Sequence, residues 1–211
     1  MDIVDPRIEA YAEEHTTAPT ELLAELAAET RAELADSRML SGGVVGRLLE
    51  LLVHGVGARR VLEIGTFTGY SALSMAAGLP PDGRIDTCEV DTARAEVARR
   101  YIARSPYRDR ITVHSGPALE SIETITGELD FVFIDADKPN YANYIEAVLP
   151  RLSERGLIAV DNTLWSGSVL DPHDENARAI AELNDRLAAD DRVTVTQLTV
   201  RDGVTLIRRA I

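Results

Sequence analysis

The chain has 211 residues, 45% of them apolar, which suits one domain with a well-buried core rather than two small ones. Its formal net charge of −13 makes it a poor generic partner for a phosphate backbone, whose affinity comes from lysine and arginine, so no nucleic-acid partner is expected. No apolar run reaches about 18 residues, so no membrane helix is expected. The opening MDIVDPRIEA lacks the apolar core of a secretory signal, and a single cysteine, Cys88, excludes internal disulfides and reads as a buried strand thiol. Together these point to the cytoplasm.

Residues 3–14 and 19–36 read as helices, the second with Thr20 as N-cap and Leu22, Leu23, Leu26 and Leu34 at helical spacing. Residues 44–56 form another. From residue 60 strands and helices alternate: RVLEIG (60–65) a strand, SALSMAAGL (71–79) a helix, RIDTCEV (84–90) a strand, TARAEVARRYIARS (92–105) a helix, RITVHSG (110–116) a strand and a short helix near 117–126. Then come LDFVFID (129–135) as a strand, YANYIEAVLPRL (141–152) as a helix, GLIAVDN (156–162) as a strand and 174–189 as the last helix. VTVTQLTV (193–200) and GVTLIRR (203–209) pair around Arg201-Asp202-Gly203, since Asp-Gly between two β-rich runs signals a hairpin. The expected class is α/β: a Rossmann-like, seven-stranded, mostly parallel sheet with helices on both faces and a C-terminal antiparallel hairpin. Residues 1–58 would be a helical cap and 59–211 the core of one domain.

In such sheets ligands sit beyond the carboxyl ends of the strands. The loop LEIGTFTGYS (62–71) offers Gly65 and Gly69 for a sharp turn and close approach, and Thr66, Thr68 and Ser71 as hydroxyls. It lacks G-x-G-x-x-G and a Walker lysine, which fits a ligand without pyrophosphate, and Glu63 suits a cationic one. Glu89, at the next strand end and 24 residues beyond Gly65, could accept both hydroxyls of a ribose. Taken singly, each is also an ordinary tight turn or a solvated strand-end acid; together they point to an adenosine-containing ligand.

FIDADKPNY (133–141) places Asp135, Asp137 and Lys138 where a buried strand stops, and the following strand ends in Asp161-Asn162. If these strands are neighbours, Asp135, Asp161 and Asn162 converge as an all-oxygen set suited to a hard divalent ion, Mg²⁺ first, with Mn²⁺ or Ca²⁺ as substitutes. Unpaired, the carboxylates would raise each other's pKa. Asp137 is read as orienting the loop or Lys138, with Asn140 and Tyr141 as loop supports; Lys138 could instead pair with Asp137 or another acid. Trp165 is a wall for a flat substrate or ordinary packing, His173 is solvated, and Arg99, Arg100 and Arg104 form a solvated face.

The chain resembles the cation-dependent O-methyltransferases, the group containing catechol and caffeoyl-coenzyme A O-methyltransferases. The resemblance is carried by LEIGTFTGYSAL, GPAL (116–119), FIDADKPNY, VDNTLWSGSV (160–169) and the terminal RDGVTLIRR, and runs from about residue 37 to the end. It implies S-adenosylmethionine as methyl donor, with Glu63, Gly65, Thr66 and Ser71 at its methionine part, Glu89 at the ribose, Ala118 beside the adenine, and Ser41 in a loop closing over it. It implies Asp135, Asp161 and Asn162 as metal ligands and Lys138 as general base. A small aromatic vicinal diol would chelate the metal, which lowers a phenol pKa from about 10; Lys138 would take the proton and the phenolate would attack the sulfonium methyl in line. Homodimers are frequent among relatives. Residues 39–47, MLSGGVVGR, depart from the family, which carries a proline and polar residues where Gly42-Gly43-Val44-Val45 stand. The short 163–177 segment has no basic cluster for a coenzyme A phosphate, favouring a small free catechol. Some bacterial relatives act on hydroxylated uridine in transfer RNA, which the acidic balance disfavours. A nucleotide-dependent oxidoreductase is disfavoured by the missing G-x-G-x-x-G.

Overall fold

A computed structural model describes residues 3–210. Three helices come first: α1 (Pro6–Glu14), α2 (Glu21–Glu33) and α3 (Gly42–Val56). Asp5 and Thr20 cap the first two, their side chains accepting the N–H of Arg7 (2.9 Å) and Leu23 (3.4 Å). The alternating part follows as β1 (Arg60–Ile64), α4 (Tyr70–Gly78), β2 (Arg84–Glu89), α5 (Thr92–Arg104), β3 (Ile111–Ser115), α6 (Ala118–Thr124), β4 (Leu129–Ile134), α7 (Tyr141–Val148), β5 (Leu152–Asp161), α8 (Glu175–Ala188), β6 (Val193–Leu198) and β7 (Val204–Arg209).

The seven strands form one sheet in the order β3-β2-β1-β4-β5-β7-β6. The first five are parallel, while β7 runs antiparallel to both β5 and β6. This is the expected Rossmann-like, mostly parallel sheet with a C-terminal antiparallel hairpin, and it carries two apolar layers. One packs α2, α3, α4 and α5 on the sheet through Leu26, Leu49, Met75 and Tyr101; the other packs α6, α7 and α8 through Ile122, Tyr144 and Ile180. Strand order reverses between β1 and β4, so the loops after these strands border a crevice at that edge.

The helix expected over 141–152 ends sooner. Val148 closes α7, a single 3₁₀ turn covers Leu149–Arg151, and β5 already begins at Leu152. Pro150 has no N–H to continue the α-helical ladder, and Leu152 is buried in the core and pairs with Leu129. Pairing then resumes at Phe131 and Leu157 after a register shift. At the other end of the domain, α3 starts two residues before the expected position, at Gly42.

The arginine face on α5 is occupied rather than merely solvated. Arg104 pairs with Glu25 (2.6 Å), Arg100 pairs with Glu29, and the Tyr101 hydroxyl donates to Glu29 (2.7 Å). Arg99 pairs with Glu96 (2.9 Å) on its own helix. The arginines hold the Glu25 and Glu29 carboxyls below their ordinary range. A buried bond from Thr30 to Thr68 (3.0 Å) joins α2 to the glycine loop. Because the ion pairs lie at the surface, apolar burial should dominate the attachment of α2. Leu26→Ala, at a fully buried site, is expected to cost about 3 kcal/mol in urea unfolding, and Arg104→Ala less than about 1 kcal/mol.

Candidate active site

The carboxyl ends of β1, β2, β4 and β5 meet on one side of the sheet and open into two adjoining cavities. The first, about 500 Å³, is lined by Gly65, Phe67, Glu89, Ala118 and Asp135. The second, about 600 Å³, is lined by Ser41, Asp135, Lys138, Asp161, Asn162 and Trp165. Asp135 belongs to both. Glu63, Thr66 and Ser71 line neither and are buried in the loop and helix behind the first cavity.

Backbone geometry sets this arrangement. Gly65 has φ +100°, and a Cβ there would lie 1.9 Å from the Asp135 carbonyl oxygen, so the β1 loop and the end of β4 touch main chain to main chain. The N–H groups of Gly65 and Thr66 both donate to the Cys88 carbonyl (3.0 and 3.1 Å), and the Asp135 N–H donates to Ile64 (2.8 Å). Cys88 is buried, which pushes its thiol up to about 12; it is structural, as expected.

Glu63 is fully buried. Its Oε2 accepts from Thr87 Oγ1 (2.5 Å), which is itself 2.5 Å from Thr66 Oγ1. The Thr66 hydroxyl is therefore spent inside the fold rather than on the cavity. Glu63 Oε1 is buried without a hydrogen-bond partner among the described residues. Burial pushes this carboxyl up to about 8, against the opposing pull of the nearby Ser71 and Thr87 hydroxyls. A buried acid with an orphaned oxygen beside a glycine turn suits a cationic ligand group. At the mouth, Glu89 accepts the N–H groups of Phe67 (2.7 Å) and Asp91 (2.9 Å), one on each oxygen. Each oxygen keeps further acceptor capacity, which a ribose diol could use.

In the second cavity Lys138 is the hub. Its Nζ donates to Asn162 Oδ1 (2.8 Å), Tyr141 OH (2.5 Å) and Asp135 Oδ1 (3.2 Å), and lies 5.5 Å from the Trp165 ring centroid. Lys138 thus pairs with Asp135, not with Asp137. The Asp137 carboxylate instead accepts from Tyr144 OH and Asn140 Nδ2, both at 2.5 Å, and orients the loop. Burial, reinforced by the Asp135 charge, holds the Asp161 carboxyl well above its ordinary range. Burial likewise raises the Tyr141 phenol. Asp135, Asp161 and Asn162 form an all-oxygen donor set whose like charges a divalent cation would relieve, so the residues suit one.

Sequence reading missed what holds Asn162. This residue sits at φ +59°, which asparagine tolerates better than most. Next to it, the carbonyl of buried Thr163 accepts from Asn184 Nδ2 (2.8 Å) and Gln197 Nε2 (2.9 Å), and its hydroxyl bonds Thr205 (2.9 Å). The 201–203 turn adds more, with Asp202 accepting the N–H of Ser166 (2.5 Å) and of Leu164 (2.9 Å). Arg201 and Asp202 also line the second cavity, although in the sequence they mark only a hairpin. His173 is exposed and 3.2 Å from Asp171, as expected of a solvated residue.

The pattern of the O-methyltransferase family matches residues 13–210. This chain belongs to that family. It is an S-adenosylmethionine-dependent O-methyltransferase. Among its relatives, caffeoyl-CoA O-methyltransferase 1 of Zea mays is 42% identical over 178 residues, covering 78% of this chain and 69% of the maize protein. The SAH-bound methyltransferase PaMTH1 of Podospora anserina superposes with a TM-score of 0.90 at 29% identity, covering 98% of this chain and 95% of that one. The O-methyltransferase TomG of Streptomyces achromogenes, involved in tomaymycin synthesis and solved in complex with SAM, gives 0.88 at 31% identity, with 97% and 96% covered. Among the described residues of this O-methyltransferase no helix is long and apolar enough to cross a membrane.

The Glu63 shift fixes a sign for stability. A carboxyl raised from 4.5 to about 8 on folding favours the native state fully below about pH 4.5, and that contribution is lost as pH rises through about 8. Asp161 acts in the same direction. The ligand-free protein should therefore lose stability between about pH 5 and pH 8, and Glu63→Gln should make that decline shallower by more than about 1 kcal/mol in denaturant titrations at the two pH values.

Proposed function

We propose that this O-methyltransferase moves the methyl group of S-adenosylmethionine to one hydroxyl of a small aromatic vicinal diol, with a divalent cation held by Asp135, Asp161 and Asn162. The observation that carries the reading is Lys138 Nζ, in contact with both Asp135 and Asn162 in the cavity adjoining the glycine loop. The relatives' activity toward a caffeoyl thioester, named for the maize protein, supports an aromatic acceptor.

The parts then have distinct tasks. In the first cavity, Glu89 takes the ribose hydroxyls, while the donor's ammonium and sulfonium would favour the ionised form of Glu63 buried behind that cavity, with Ser71 beside it. Ala118 lies against the adenine, and Ser41, on the wall of the second cavity, belongs to the loop that closes over the donor. When bound, the cation supplies Lewis-acid acidification of an acceptor hydroxyl and a fixed seat for the diol. Lys138 is the group placed to take the phenol proton, with Tyr141 and Asn162 holding its side-chain nitrogen in place. Trp165 flanks the ring. A C–S bond of the donor breaks as the O–CH₃ bond forms, and the chain contributes orientation and charge placement. The transfer-RNA alternative gains nothing from the α5 arginines, which are spent on α2 and on their own helix.

Transfer of labelled methyl to a catechol panel should require Mg²⁺, stop with chelator, and fall more than about a hundredfold in Lys138→Met, the usual scale for a general base. Metal-independent turnover, or full activity in Asp135→Ala, would sink the mechanism. Removing one anchor behind Asn162, Gln197→Leu, should weaken Mn²⁺ binding about tenfold, as loss of a supporting hydrogen bond does elsewhere, read by electron paramagnetic resonance on the ligand-free protein.

A further inference from the structure

Two residues in the wall of the second cavity also face another space. Leu40 and Arg201 also line a third cavity of about 530 Å³, bounded by the 16–19 linker between α1 and α2, by Arg31 of α2 and by Tyr70 of α4. None of the chemistry above uses it. The Arg201 guanidinium is seated at the junction: its Nη1 donates to the Ser41 carbonyl at 2.7 Å. A Cβ on Gly42, which has φ +77°, would lie 2.4 Å from that Nη1. The glycine that departs from the family pattern therefore leaves the guanidinium its place.

That bond uses one of five guanidinium donors. Among the described residues neither Arg201 nor Arg31 has a carboxylate within ion-pair distance, whereas Arg47, Arg94, Arg100, Arg104, Arg186 and Arg192 all do. Tyr70 is 5% exposed, and its hydroxyl has no hydrogen-bond partner among the described residues. Of the acids nearby, Asp161 feels the Arg201 charge across the second cavity but makes no ion pair with it, Asp202 accepts from Ser166, Asp137 is held by Tyr144 and Asn140, and Glu13 is exposed on the third cavity's wall. Two unpaired guanidiniums and an unpartnered phenol in one cavity are what a carboxylate needs. In a chain of net charge −13, such a local cationic seat offsets the long-range repulsion of an anionic acceptor.

We propose that this cavity seats a carboxylate carried by the acceptor, with Arg201 as the residue that selects for it. The diol end lies at Asp135, Asp161 and Asn162, and the arm passes Leu40 to meet Arg201, with Arg31 and the Tyr70 hydroxyl beyond. The acceptor is then a catechol acid rather than a neutral catechol, an assignment that rests on the catechol reading above.

The test is calorimetric binding of 3,4-dihydroxycinnamate and of its methyl ester to the protein loaded with S-adenosylhomocysteine and Mg²⁺, with methyl transfer followed in parallel. The acid should bind at least about tenfold more tightly than the ester, as a charge-assisted guanidinium pair implies. Arg201→Gln, which keeps an N–H for Ser41, should reduce the ratio to about two or less while the ester's affinity holds, and Arg31→Gln should reduce it in part. A purely structural role for Arg201 would weaken acid and ester together and overturn the proposal, as would equal binding of the two by the unmodified protein. An acid preference in binding without methyl transfer to either compound would overturn the catechol reaction and leave the carboxylate seat standing.

Discussion

Between the bare Cα of Gly65 and the carbonyl of Asp135 there is no room for a methyl group. This main-chain contact joins the turn after β1 to the end of β4 and makes Asp135 a wall of both cavities. Its carbonyl closes against the glycine loop after β1 while its carboxylate faces Lys138. Any larger residue at position 65 would move the two halves of the site apart together. The parallel pairing of β1 with β4, and of β4 with β5, then brings Asp161 and Asn162 alongside.

The site carries unfavourable electrostatics that the rest of the fold sustains. Glu63 is buried with one oxygen unpaired, and Asp161 is buried close to the Asp135 charge. Leaving such groups without partners costs free energy, and the two apolar layers of the sheet supply the offsetting burial. Both groups favour cationic company, which ties the cost to the charge of what the site receives rather than to packing within the chain.

Much of this was legible because it is local. Strand-end positions such as Asp135, Glu89 and Asp161-Asn162 follow from the alternation of strands and helices, and a parallel sheet brings them to one edge without further information. The Glu25 and Glu29 partners of α5 were not legible, because each helix face alone reads as solvated. The hydroxyl of Thr66 could not be aimed from sequence; it turns to Thr87 on the neighbouring strand. The anchors of Thr163 lie 21 to 42 residues downstream. Arg201 reaches across 160 positions to Ser41. The start of β5 is hidden in the sequence because Pro150 follows a helical run and looks like its tail, whereas burial of Leu152 rewards an early strand.

The sheet order bears on how the protein is made. β7, the last of the seven strands in chain order, lies between β5 and β6 rather than at an edge. It supplies Thr205, while Gln197 comes from β6, the strand just before it. On the ribosome, the five parallel strands can pair while β5 still shows an unpaired edge, and Thr163, next to Asn162, lacks its Gln197 and Thr205 partners until the hairpin emerges and slots in. A chain that still lacked its hairpin would carry an open sheet edge on β5, the kind of surface on which chains pair wrongly. Completion of the site and protection of that edge are the same late event.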